Sequence, residues 1–188
     1  MKYLHPNFLL RQDAVLLVVD IQEKLFPIIC EEGRANQEKN VPVLLSIANE
    51  LGLPTVITEQ YSKGLGHTIK PIKKHMKGFP VFEKMHFAAT EEIGFSDLMA
   101  SQHRQQVVVC GMETHICVYQ TVLGLKHLGY EVHLVQDACG SRFPENHKCG
   151  LEMARDAGAI VTNTESVMFQ LLEESGTPEF KMLQKLII

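Results

Sequence analysis

Three side chains far apart in this sequence have the chemistry for nucleophilic attack on a small electrophile: Cys117, Asp20 and Lys84. Cys117 lies at the end of Gly111-Met112-Glu113-Thr114-His115-Ile116-Cys117, which reads as a strand-to-helix turn with Thr114 as its N-cap. A thiol in the first turn of a helix meets unpaired N–H groups and a partial positive charge. These stabilise a thiolate and then an oxyanion on the attacked carbon. Asp20 directly follows the apolar run Val15 to Val19, where a carboxylate stays charged only if it is paired. Lys84, at the end of another short apolar run, is the natural cation. Each residue also has a plain alternative. Asp20 and Lys84 would serve equally as a structural ion pair, and Cys117 shares a helical face with Thr121, Gly124 and Leu128, as a core thiol would.

These residues are useful only if the fold brings them together, and the pattern of the chain says how. Short β-branched runs alternate with amphipathic stretches. The runs are Ala14 to Val19, Pro54 to Thr58, Val81 to Glu83, Gln106 to Cys110, Glu131 to Val135 and Ala159 to Val161. The stretches are Glu38 to Leu51, Glu91 to Gln102, His115 to Leu128, Pro144 to Ala157 and Ser166 to Glu173. That alternation predicts an α/β fold with a parallel sheet covered on both faces. Thr90 and Thr162 read as helix starts, and Gly52, Gly129 and Gly158 as stops. The segment from Gln60 to Gly78 reads as an ordered loop or lid. In such sheets ligands bind beyond the carboxyl ends of the strands, which is where Asp20, Thr58 to Tyr61, Lys84, Gly111 to Cys117 and Asp137 to Arg142 fall.

Composition narrows the function classes. With 188 residues, 45% hydrophobic and 21% charged, the chain reads as a single domain over residues 1–188. A net charge of -4 with scattered basic residues offers no stripe for a phosphate backbone, so nucleic acid is not the expected partner. No apolar run reaches membrane-spanning length, and the start lacks the h-region of a secretory signal. Five cysteines without CxxC spacing fit neither a disulfide framework nor a zinc knuckle, which points to a reducing, intracellular compartment, the cytoplasm first and the mitochondrion second. The apolar end Leu186-Ile187-Ile188 would pack on its own subunit or on a neighbouring one, the latter making a homo-oligomer.

The chain resembles the isochorismatase-like cysteine hydrolases, and most closely the eukaryotic isochorismatase-domain proteins. The resemblance runs through Leu17 to Lys24, Thr58-Glu59-Gln60-Tyr61 with Gly64-Leu65-Gly66, Glu83-Lys84, Cys110 to Val118, Asp137-Ala138-Cys139, Ser141-Arg142 and Thr164 to Val167. It implies a three-layer α/β/α sandwich of Rossmann-like type, with a six-stranded parallel sheet and a triad of Asp20, Lys84 and Cys117. In that family the aspartate accepts the thiol proton, the lysine keeps the aspartate ionised, and the cysteine attacks a carbonyl carbon. It also implies a cis peptide between Met112 and Glu113, aiming the N–H groups of Glu113 and Cys117 at the oxyanion. Gln22, Tyr61, Phe87 and His115 are expected to contact substrate. An ordinary loop hydrogen bond is the equal alternative for Gln22, and a solvated turn position for His115 and for His86.

Zinc-holding relatives carry an Asp-x-His pair after the second strand, where this sequence has Glu59-Gln60-Tyr61. His67 and His75 lie farther on without an obvious second ligand, so no metal and no cofactor are expected. The leading expectation is hydrolysis of a small-molecule amide or related C–N bond through a Cys117 thioester. A ribonuclease and a weakly active oligomeric binding or scaffold protein are the alternatives from other classes.

Overall fold

The computed structural model describes residues 5, 7–76 and 78–187. Six strands, β1 (Ala14–Val19), β2 (Thr55–Gln60), β3 (Val81–Lys84), β4 (Gln106–Met112), β5 (Glu131–Gly140) and β6 (Ile160–Thr162), form one sheet in the order β3-β2-β1-β4-β5-β6. Every pairing is parallel. Parallel strands with both faces covered can be apolar throughout, and β1 and β4 are buried at every position. Strand order reverses at β1, whose two neighbours are β2 and β4. The crevice beyond their carboxyl ends is therefore the binding position of the fold.

The helices are α1 (Glu31–Leu51), α2 (Ser62–Leu65), α3 (Lys70–Lys73), α4 (Phe95–Ser101), α5 (Tyr119–His127), α6 (Pro144–Asp156), α7 (Thr164–Leu172) and α8 (Pro178–Leu183). α1, α3, α7 and α8 pack together on one side, while α5 and α6 pack with each other on the other. This is a three-layer α/β/α sandwich. α1 stops at Gly52, whose φ of 66° closes the last turn, as expected.

Several boundaries differ from the sequence expectation for identifiable reasons. α1 begins seven residues earlier than its apolar pattern and carries Pro42 inside it, because its N-terminal part is held against β5 rather than by propensity. β5 continues through Gln136 and Asp137, polar residues that break the run. The register with β4 shifts between Val109 and Gly111, and Asp137 Oδ1 accepts bonds from Thr164 N–H and Oγ1 at 2.9 and 3.0 Å. Thr90 starts no long helix but lies in a single 3-10 turn, and Gly94 precedes α4. The cap of α7 is Asn163, not Thr162, with its side chain accepting from Ser166 N–H. The loop from Gln60 to Gly78 contains α2 and α3. At the C-terminus Leu183 is buried and Ile187 packs on the core while Leu186 is exposed; Ile188 lies outside the described residues.

Candidate active site

Asp20 directly follows β1 and leaves the sheet at φ 51°, a left-handed turn that Asp tolerates better than most residues. Its N–H donates to Thr58 O at 3.1 Å, and Thr58 Oγ1 donates to Asp20 Oδ1 at 2.7 Å. Lys84, last residue of β3, sends its ammonium to within 2.6 Å of Asp20 Oδ2, and both side chains are fully buried. The other two donors of that ammonium reach His86 O at 3.0 Å and Phe87 O at 3.1 Å. All three Lys84 donors are thus occupied, as a buried cation requires.

The end of β4 supplies the thiol. Gly111 has φ 133°, and a Cβ there would stand 2.1 Å from Val19 O, so only glycine lets β4 lie this close to β1. The Met112–Glu113 peptide is cis. Residues Thr114–Val118 then form a π-helical turn leading into α5, with Val118 N–H donating to Glu113 O. Thr114 is not an N-cap: Glu113 holds that position without a capping bond, and Thr114 Oγ1 instead meets His147 Nδ1 at 2.8 Å. Cys117 is 6% exposed, its Sγ donates to Gln60 Oε1 at 3.3 Å, and it is close enough to Asp20 and Lys84 for each to shift its titration.

Electrostatics correct the expectation of a resting thiolate. Burial pushes the Cys117 thiol up to about 12, the negative charge of Asp20 adds to the rise, and Lys84 opposes it. Burial and the neighbouring carboxylate together favour the protonated thiol at rest. Asp20 is itself raised by burial, against the pull of Lys84 and Thr58. A carboxylate paired with an ammonium and standing beside a protonated thiol is a group that can take that proton.

The other expected site residues divide. Gln22 is fully buried with every polar atom committed to backbone: Nε2 donates to Gln60 O and Gly66 O at 2.9 and 2.7 Å, and Oε1 accepts from Gln60 N–H at 2.8 Å. It braces the loop, the role given above as the alternative to substrate contact. Tyr61 is 47% exposed and lies over Gly64, where a Cβ would stand 2.1 Å from the ring. Phe87 is exposed, its carbonyl on Lys84. His115 is held at both ring nitrogens, by Ser141 Oγ at 3.0 Å and Asn146 Nδ2 at 3.4 Å. Glu113 is anchored by Arg142, whose N–H and Nε reach it at 2.8 and 3.1 Å. Thr58 and Gln60, placed at the crevice by the sequence but given no role there, touch Asp20 and Cys117. Their only signal was position, at the carboxyl end of the second apolar run.

His67 is not the isolated histidine its spacing suggested. Its Nδ1 stands 2.8 Å from Glu59 Oε2, while Glu59 Oε1 accepts from Thr68 N–H and Oγ1, both at 2.7 Å. Among the described residues no group of three or more His, Cys, Asp or Glu is placed to hold a metal ion. Nor, among them, is any helix long and apolar enough to cross a membrane.

Residues 14–166 match the Isochorismatase domain family. The chain belongs to the isochorismatase family. It is 38% identical over 95% of its length to the secreted isochorismatase effector Isc1 of Phytophthora sojae, covering 86% of that protein. It is 36% identical over 93% of its length to zebrafish Isochorismatase domain-containing protein 2, again covering 86%. Among solved structures, MAR1 ribonuclease from Caenorhabditis elegans superposes with a TM-score of 0.88 at 34% identity, over 95% of this chain and 91% of that one. The Escherichia coli YcaC gene product, described as an octameric hydrolase of unknown specificity, has a TM-score of 0.89 at 22% identity, over 96% and 90% of the two chains. At that identity the likeness is one of fold.

Proposed function

We propose that this isochorismatase-family chain is a cysteine hydrolase that cleaves a small amide or related C–N bond through a thioester on Cys117. The observation that carries the reading is the fully buried Asp20–Lys84 pair at 2.6 Å with the Cys117 thiol as its electrostatic neighbour. As Sγ attacks the carbonyl carbon, Asp20 takes the thiol proton, and the N–H groups of Glu113 and Cys117 receive the oxyanion. Collapse breaks the C–N bond, the departing nitrogen takes the proton from Asp20, and the acyl group stays on sulfur. Water, deprotonated by Asp20, then releases the acid and restores the thiol. Lys84 holds Asp20 in place and tempers the charge that builds on sulfur. Tyr61, Phe87 and His115 are proposed as the residues around the substrate.

The test is covalent capture. Wild-type protein incubated with a panel of small amides should gain one acyl mass on the Cys117 peptide, and Cys117→Ser should gain none or a stable ester. Turnover of an amide by Cys117→Ala at the wild-type rate would end this reading.

A second reading follows from the C. elegans relative, whose name makes it a ribonuclease. Phosphoryl transfer gathers charge that clustered cations balance. Here the ammonium of Lys84 is sealed and spent on Asp20 and two carbonyls. RNA cleavage that persists through purification and vanishes in Cys117→Ser would favour it. Self-association, as in the E. coli octamer, is likewise proposed, and light scattering of the purified chain measures it.

A further inference from the structure

Glu92 takes no part in the chemistry above, yet one of its oxygens organises a turn beside it. Oε2 accepts from Met85 N–H at 2.7 Å and His86 N–H at 3.3 Å, and stands 3.0 Å from His86 Nδ1. The turn it gathers, Met85 to Phe87, is the one whose carbonyls hold Lys84: His86 O at 3.0 Å and Phe87 O at 3.1 Å. Two of the three acceptors around the ammonium thus come from these few residues. Besides Glu92, a bond from Gln60 Nε2 to Met85 O at 3.4 Å holds this turn, in which Met85 is 61% and Phe87 53% exposed.

Glu92 is itself tied to the core. Its N–H donates to Ala89 O at 3.1 Å, and the N–H of buried Ala89 donates to Thr121 Oγ1 of α5 at 3.0 Å. α5 is the helix that continues the Cys117 turn. A run of short contacts therefore links the element bearing the thiol, through Thr121, Ala89 and Glu92, to the carbonyls that seat Lys84 against Asp20.

The geometry points to Glu92 as a positioning residue that sets the Lys84 ammonium against Asp20 by folding the Met85–Phe87 turn. This deepens the hydrolase reading and rests on it. The three bonds to Oε2 also hold the Glu92 carboxyl down at about 2, so the clamp is fully charged at neutral pH.

The test reads the alkylation rate of Cys117 by iodoacetamide against pH, with peptide mapping so that exposed Cys149 is scored separately. Cys117 faces Asp20, Lys84 and Glu113, so its pH–rate curve reports the ammonium directly. In Glu92→Ala the curve should move to higher pH by about one unit, a rate about tenfold lower at fixed pH on the rising limb. Glu92→Gln keeps a carbonyl oxygen able to accept both N–H groups and should recover most of the displacement. Glu91→Ala, at an exposed neighbour, should superimpose on wild type. Cys149 serves as the reference thiol throughout. A Glu92→Ala curve that superimposes on wild type, or falls uniformly without displacement, overturns the assignment, and so does a Glu92→Gln curve as displaced as that of Glu92→Ala. If Glu92→Ala exposes the core thiols Cys110 and Cys139, Glu92→Asp is judged by the same displacement criterion. The hydrolase reading is scored apart from this, by the acyl adduct on wild-type Cys117.

Discussion

Thr58 holds Asp20 twice, its carbonyl accepting the Asp20 N–H at 3.1 Å and its hydroxyl donating to Oδ1 at 2.7 Å. The first bond extends the β1–β2 ladder past its last pair, Val19 with Thr58, and the second turns that ladder into a seat for a carboxylate. Thr58→Val keeps the shape and removes the hydroxyl, leaving a buried oxygen without its donor. It should cost about 1–3 kcal/mol in urea denaturation, and it should raise the Asp20 pKa further, seen as loss of turnover at mildly acidic pH. Unchanged stability would mean that Oδ1 finds water.

Asp20→Asn separates two effects that usually run together. The Asp20 charge raises the Cys117 pKa, so its removal should lower that pKa and speed alkylation near neutral pH. In the proposed mechanism turnover needs Asp20 as proton acceptor, and it should fall by about 10²–10⁴-fold. Parallel loss of both would show that Asp20 activates the resting thiol instead.

Lys84→Met deletes the cation that meets Asp20 at 2.6 Å. Breaking a fully buried pair strands a charge, and thermal or urea denaturation should show a loss of about 3–5 kcal/mol. Lys84→Met combined with Asp20→Leu should recover part of it without restoring activity.

Gly111→Ala should destabilise the protein severely. The φ of 133° is unfavourable to any side chain, and the new carbon would meet Val19 O at 2.1 Å. Expression in the soluble fraction and near-ultraviolet circular dichroism read the result; a well-folded variant would require β1 and β4 to separate.

Acid stability follows from Glu92. Its folded pKa, about 2, lies below the ordinary 4.5, so its contribution is complete above 4.5 and is lost as pH falls toward 2. The difference in urea midpoint between wild type and Glu92→Gln should be largest near pH 6 and vanish near pH 2. A constant difference would assign the effect to packing.

The sheet and the position of its crevice were legible in the sequence, because buried parallel strands must be short, β-branched and apolar wherever they occur. Asp20, Lys84 and Cys117 could be picked out for the same local reason: each follows or closes such a run, where a polar side chain costs free energy unless it is used. What the sequence could not show was which groups complete the seat. Thr58, Gln60 and Glu92 look ordinary one residue at a time, and only the β1–β2 pairing, the loop after β2 and the link from Ala89 to α5 bring them to bear. The protonation of the thiol also belongs to the tertiary structure. Helix position, readable locally, favours the thiolate, whereas burial beside Asp20 favours the thiol, and desolvation is decided by everything packed around the sulfur.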